Sequence, residues 1–90
     1  MGISSIRDGN FVFNMMLLKI GATYEHVKTG KRYKLIAVGK EVHDLTEFVV
    51  YESLYDNNVS KYWVRSKEEF VGEAVGNDGS FHPRFIKLED

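Results

Sequence analysis

The chain has no cysteine among its 90 residues. No disulfide can staple it, and no thiolate is available as nucleophile or zinc ligand. Small secreted domains commonly depend on disulfides, so a reducing cytoplasm is the expected setting. There is a single proline. This residue, Pro83, cannot donate to a strand ladder and belongs on a sheet edge or at a strand start. Charge of one sign is lacking too: 12 basic and 13 acidic residues leave a net −1. That balance provides no broad field to draw in DNA, RNA or an anionic membrane. Residues 11–20, from Phe11 to Ile20, form an apolar run interrupted by Asn14 and Lys19. The run falls short of the roughly 20 residues that span a bilayer, and makes a poor signal peptide for the same reason. Met1-Gly2 opens like a myristoylation signal, but Ile6 stands where that signal needs Ser or Thr.

What the chain does have is rings. Aromatics make up 13% of it and hydrophobic residues 43%. Large rings bury much area per residue, which suits a short chain that must build a thin core. The length fits one domain. Residues 1–20 are expected to be an N-terminal extension, in part disordered, and residues 21–90 a single small β-domain. The 11–20 run would cover one end of the sheet or mediate self-association.

From Gly21 on, short strands and turns alternate. Residues 22–27 and 32–38 read as a hairpin, with Gly30 supplying a positive φ in the turn. Residues 46–55 read as the longest strand, Asp56-Asn57-Asn58 as a turn, and 59–65 as the returning strand. Ser66 and Glu69 have capping-box spacing and open one helical turn carrying Phe70. Residues 73–76 suggest a small strand, Gly76-Asn77-Asp78-Gly79 a turn, and 81–88 a closing strand. The expected fold is mainly β: a small SH3-like barrel, or a strongly bent antiparallel sheet of five or six strands, with one short helical turn.

Pairing Tyr55 with Val59 across the turn places Tyr51 opposite Trp63 and Val49 opposite Arg65. One face of that hairpin then carries Glu47, Val49, Tyr51, Tyr55, Trp63 and Arg65. The other carries Phe48, Val50, Leu54, Tyr62 and Val64. The second set is the more apolar and is expected to point into the core, leaving the first set wet. A one-residue slip would invert the faces.

Motifs for catalysis are missing. Gly30-Lys31 lacks the preceding glycine and following hydroxyl of a phosphate-cradling loop. Lys28-Thr29-Gly30 spells a triad of penicillin-recognising enzymes without its Ser-x-x-Lys partner. His26, His43 and His82 have no metal-ligand spacing, so no metal or cofactor is expected. His43 with Glu47 could form an acid–base pair, but no oxyanion hole or nucleophile accompanies it. Arg65 is expected to pair with a carboxylate such as Glu47, or to present a fork to a partner's carboxylate or phosphate, and Arg84 has the same two readings. The basic run Lys28, Lys31, Arg32, Lys34, Lys40 precedes the acidic run Glu41, Asp44, Glu47, Glu52, Asp56. Cross-strand pairing is the simpler account of it, a nucleic-acid patch the alternative.

The segment Tyr24-Glu25-His26-Val27-Lys28-Thr29-Gly30-Lys31-Arg32-Tyr33, with Thr46-Glu47, Val49-Val50-Tyr51, Leu54-Tyr55, Trp63-Val64-Arg65, Phe70 and Arg84-Phe85, resembles a family of short uncharacterised bacterial proteins, a domain of unknown function. Ser66 stands where that family has Pro, a mild departure because both suit a helix start. The resemblance covers residues 21–86. It implies one compact domain in a bacterial or phage setting and brings no activity with it.

The functional expectation is a non-catalytic binding module. Tyr51, Tyr55 and Trp63 would give flat contact area, and Glu47 and Arg65 polar anchors, for a peptide or small polar ligand. The alternatives are a nucleic-acid-binding accessory domain using Lys28, Lys31, Arg32 and Lys34, and a small hydrolase using His43 and Glu47.

Overall fold

The computed structural model describes residues 18–88. The expectations for the extension fall largely outside them. Leu18 is described, and packs against the core.

Strands β1 (Thr23–His26) and β2 (Arg32–Lys40) form the first hairpin. Its turn closes on His26, whose carbonyl accepts from Gly30 N at 2.7 Å. Gly30 has φ +76, a conformation that costs a side-chain-bearing residue. Strands β3 (Glu47–Ser53) and β4 (Tyr62–Ser66) form the second hairpin. Asn57 Oδ1 organises its turn by accepting from Val59 N at 2.8 Å and Ser60 N at 2.9 Å. Helical turn α1 (Lys67–Phe70) follows, capped as its spacing predicts: Ser66 Oγ accepts from Glu69 N at 3.2 Å. Strands β5 (Glu73–Val75), β6 (Phe81–Pro83) and β7 (Phe85–Lys87) complete the chain.

The large sheet has five antiparallel strands in the order β4-β3-β2-β1-β7, and β5 and β6 form a separate two-stranded sheet. The fold is therefore mainly β, as expected. Of the two architectures the open sheet is the one found: among the described residues β4 and β7 are its edges and no barrel closes. A register shift between Leu35 and Ala37 gives β2 a bulge, a device that bends a strand and increases its twist.

The closing segment is two strands where the sequence reads as one. Arg84 separates them. Its N–H donates to the Gly72 carbonyl at 2.9 Å, and its own carbonyl accepts from Val27 N at 3.0 Å. Its guanidinium donates to the Glu69 carbonyl through Nε at 3.0 Å and to the Glu73 carbonyl through Nη2 at 3.3 Å. In place of the expected carboxylate partner, the side chain caps backbone carbonyls that α1 and β5 leave over. Pro83 ends β6 in the small sheet, where both strands are edges.

The hairpin register is the expected one, with Tyr51 opposite Trp63 and Val49 opposite Arg65. The polarity of its faces is reversed. Val49 is 0% exposed and Tyr51 5%, whereas Val64 is 64% exposed and Leu54 and Tyr62 about half. The core cluster joins Ala22, Tyr24, Leu35, Val49, Tyr51, Phe70, Val71 and Phe85, with Tyr33 and Trp63 packed against it. Phe70 and Phe85 arrive from outside the hairpin and cover the Tyr51 face. Rings stand on both faces, so this covering decides the side, and the polar tips of Tyr51 and Trp63 find partners at the rim.

Candidate ligand-binding face

The rim of the core face is a chain of aromatic rings with polar tips. Arg65 Nε donates to Tyr51 Oη at 3.2 Å, and the guanidinium carbon lies 5.6 Å from the Phe85 ring centroid. Tyr51 meets Tyr33 edge-on at 5.0 Å, and Tyr33 meets Tyr55 edge-on at 5.5 Å. The Tyr33 and Tyr55 hydroxyls are hydrogen-bonded at 2.9 Å, and Lys31 Nζ stands 4.8 Å from the Tyr55 ring centroid. Trp63 is half-buried, and its Nε1–H donates to Ser53 Oγ at 2.6 Å.

Burial, and then the bond with Tyr55, push the Tyr33 phenol far above its ordinary value of 10.0. The Tyr33 phenol thus remains a neutral hydrogen-bonding group. His26 packs edge-on against Phe85 at 5.0 Å, with Nδ1 3.0 Å from Thr29 Oγ1. Burial holds its pKa below 6.5, with Arg65, Arg84 and Lys28 adding to the effect in that order.

Of the five expected ligand-binding residues, Tyr51, Trp63 and Arg65 come together on one face, and Tyr55 joins them through Tyr33. Tyr51 contributes its hydroxyl tip rather than an open ring. Glu47 lies at the other end of β3, where Lys67 Nζ (3.3 Å) and Lys40 Nζ (3.5 Å) engage its carboxylate. The hydrogen bond from Lys67, followed by the charge of Lys40, holds its pKa below 4.5. Arg65 and Glu47 therefore do not form the expected pair. Glu47 is aligned with Lys40 across the β2–β3 ladder, whereas Arg65 is opposite Val49 and reaches Glu69 at 3.8 Å. Tyr33, His26 and Phe85 were missed as members of the rim. The signal for Tyr33 lay in strand parity, two residues from the core residue Leu35 on the same strand.

His43 does not meet Glu47. Its Nδ1 is 2.7 Å from Glu41 Oε2 in the loop before β3. Asp78, Ser80 and His82 have the residue types of a hydrolytic triad, but both partners approach the same imidazole nitrogen: Ser80 Oγ and Asp78 Oδ1 each lie 3.0 Å from His82 Nε2. A relay needs the carboxylate on one ring nitrogen and the hydroxyl on the other. The cluster is instead a turn cap, in which Asp78 also accepts from Ser80 N at 3.0 Å. Among the described residues, no group of three or more metal-ligating side chains converges. No described helix is long and apolar enough to cross a membrane.

The basic residues divide between two places. Lys28 and Lys31 sit in the β1–β2 turn. Arg32 and Lys34 flank Tyr33 along β2 and so project from the opposite face of the sheet. Arg32 is paired with Glu25 at 3.4 Å, Lys61 with Glu52 at 3.7 Å and Lys40 with Glu47 at 3.5 Å. Of these three pairs, Lys40–Glu47 joins the basic run to the acidic run, while the other two each join one run to a residue outside both.

Residues 22–87 match the family described as protein of unknown function DUF1653. The chain belongs to the DUF1653 family. The matched span runs from Ala22, the buried residue just before β1, to the last residue of β7, so the whole two-sheet unit is the DUF1653 domain. No curated protein and no solved structure matches the chain.

Proposed function

We propose that this DUF1653 domain is a non-catalytic binding module, and that the rim formed by Tyr33, Tyr51, Tyr55, Trp63 and Arg65 receives an acidic group of a peptide or small polar ligand. The observation that carries the reading is the state of Arg65. Its side chain is 27% exposed, and its ion pair with Glu69 is 3.8 Å long, beyond hydrogen-bond length. Among the described residues, Nε donates to the Tyr51 hydroxyl. A planar cation held over a ring, with its outer nitrogens weakly engaged, suits bidentate capture of a carboxylate. The tyrosine hydroxyls beside it offer further hydrogen bonds, and Trp63 and Tyr55 offer apolar contact.

Titration with a short acetylated peptide rich in glutamate tests this, read by Trp63 fluorescence and the indole N–H resonance. Saturable changes in both, weakened about tenfold or more by Arg65→Gln, fit the loss of a charge-assisted pair. An Arg65→Gln variant that binds as well as the parent would remove the proposal.

Nucleic-acid binding through Lys28, Lys31, Arg32 and Lys34 is the rival reading. It has less support, because these cations divide between a turn and the outer face. Binding of a single-stranded oligonucleotide that falls steeply with salt would favour it over the acidic-ligand reading. For a hydrolase, the separate engagements of His43 and Glu47 leave no acid–base pair.

A further inference from the structure

A cleft of about 360 Å³ lies between the end of β1 and the two-stranded sheet, and it shares His26 with the rim but not Tyr55 or Trp63. Its lining includes His26, Lys28, His82 and Arg84, with Gly76 and residues of β5, and no Asp or Glu among the described residues. We propose that this cleft is an oxyanion-binding site for the phosphate or carboxylate head of a small molecule.

Three features support a built site. The first is charge: Lys28 and Arg84 are in the lining, and the nearby Asp78 carboxylate is engaged by His82 at 3.0 Å. His26 is surrounded by cations from separate elements, namely Lys28 from the turn, Arg84 between β6 and β7, and Arg65 from β4, and these hold it toward its neutral form in addition to burial. Clefts lined by one sign of charge concentrate the opposite ion.

The second is preorganisation. Arg84 is fixed by the Glu69 and Glu73 carbonyls, and His26 is seated between Thr29 and the Phe85 ring. The Thr29 bond occupies Nδ1 of His26, so Nε2 is the nitrogen left to face a ligand. Donors whose geometry is already set lose less entropy on binding.

The third is Gly76. A Cβ there would stand 2.5 Å from His82 Cδ2, so only glycine lets that ring sit against the β5–β6 turn. His82 is in turn held by Asp78 through Nε2.

The test is a titration of the full chain near pH 7 with inorganic phosphate, and separately with acetate, against chloride at matched ionic strength. Backbone and imidazole resonances of His26, Lys28, Gly76, His82 and Arg84 are followed by NMR. Saturable shifts confined to these residues are expected, together with a rise in the His26 pKa, because a bound anion offsets the cations that depress it. Lys28 is an exposed turn residue. Lys28→Glu should weaken phosphate binding about tenfold by replacing a nearby cation with an anion. The Trp63 indole N–H, which reports on the rim, should not shift with phosphate, and a saturable shift there would place the anion at the rim and overturn the cleft. Phosphate binding without acetate binding assigns a phosphate head, and equal binding a carboxylate head. The absence of saturable shifts with either ion, or shifts indifferent to Lys28→Glu, would overturn the site.

Discussion

The rings of Phe70 and Phe85 lie face to face, with centroids 4.1 Å apart and planes 10° from parallel. Phe70 comes from the helical turn and Phe85 from an edge strand, so this contact joins α1 to the large sheet. Both residues are almost fully buried, and both also touch Tyr51. Truncating either removes a ring from a core with few alternatives for filling the space. Phe85→Ala or Phe70→Ala is expected to cost about 3–5 kcal/mol, and Phe70→Leu less than half of that. Equilibrium urea unfolding of the three variants checks the order.

His26 gives the fold a specific pH response. Its folded pKa lies below the ordinary 6.5, first because it is buried and then because Arg65, Arg84 and Lys28 surround it. Between its folded value and 6.5 the unfolded chain binds more protons than the folded one. Stability contributed through this group is therefore complete above pH 6.5 and is lost as pH falls through the folded value. Glu41, Asp44, Glu47 and Asp78 have pKa values lowered from ordinary values of 4.5 or 3.8, so the stability they contribute is lost in a lower window. Denaturation midpoints measured from pH 7.5 down to 5 should fall for the parent chain. They should fall less for His26→Gln, with the two curves converging below that range. Parallel curves would remove His26 as the origin.

The helical turn depends on one cap. Ser66 Oγ accepts from Glu69 N at 3.2 Å, and the turn is only four residues long, so it has little internal hydrogen bonding to fall back on. Ser66→Ala is expected to lower stability by about 1 kcal/mol, whereas Ser66→Asp, which retains the cap, should stay close to the parent. Thermal unfolding of the pair distinguishes loss of the cap from loss of bulk.

Local chemistry was legible in the sequence and global placement was not. The Gly30 turn, the Ser66 cap and the Tyr51–Trp63 register all follow from residues close together in the chain, where turn type and strand parity leave few choices. The break at Arg84 was not legible, because the carbonyls it caps belong to Glu69 and Glu73, far enough back that no spacing rule connects them. The same holds for Glu47. Its partners Lys40 and Lys67 depend on which strands lie on each side of β3, whereas the expected partner Arg65 was chosen from one hairpin alone. The rim was half visible: Tyr51, Tyr55, Trp63 and Arg65 share a strand parity, but Tyr33 and His26 join them only once β1, β2 and β7 are laid beside that hairpin.

The clearest reversal concerns which side of the β3–β4 ribbon is dry, and it can be tested directly. A count of aliphatic residues favours the side of Val50 and Val64. The structure buries the side of Val49 and Tyr51 instead, since Phe70 and Phe85 cover it, and the polar tips there are satisfied by Arg65 and Ser53. Two valines on adjacent strands of one ribbon therefore have opposite fates: Val49 is 0% exposed and Val64 64%. Val49→Ala deletes buried methyl groups and should cost about 2 kcal/mol. Val64→Thr on the wet side should stay within about 0.5 kcal/mol of the parent. Measured by urea denaturation, a larger loss from Val64→Thr than from Val49→Ala would return the core to the aliphatic side and take the Arg65 rim with it.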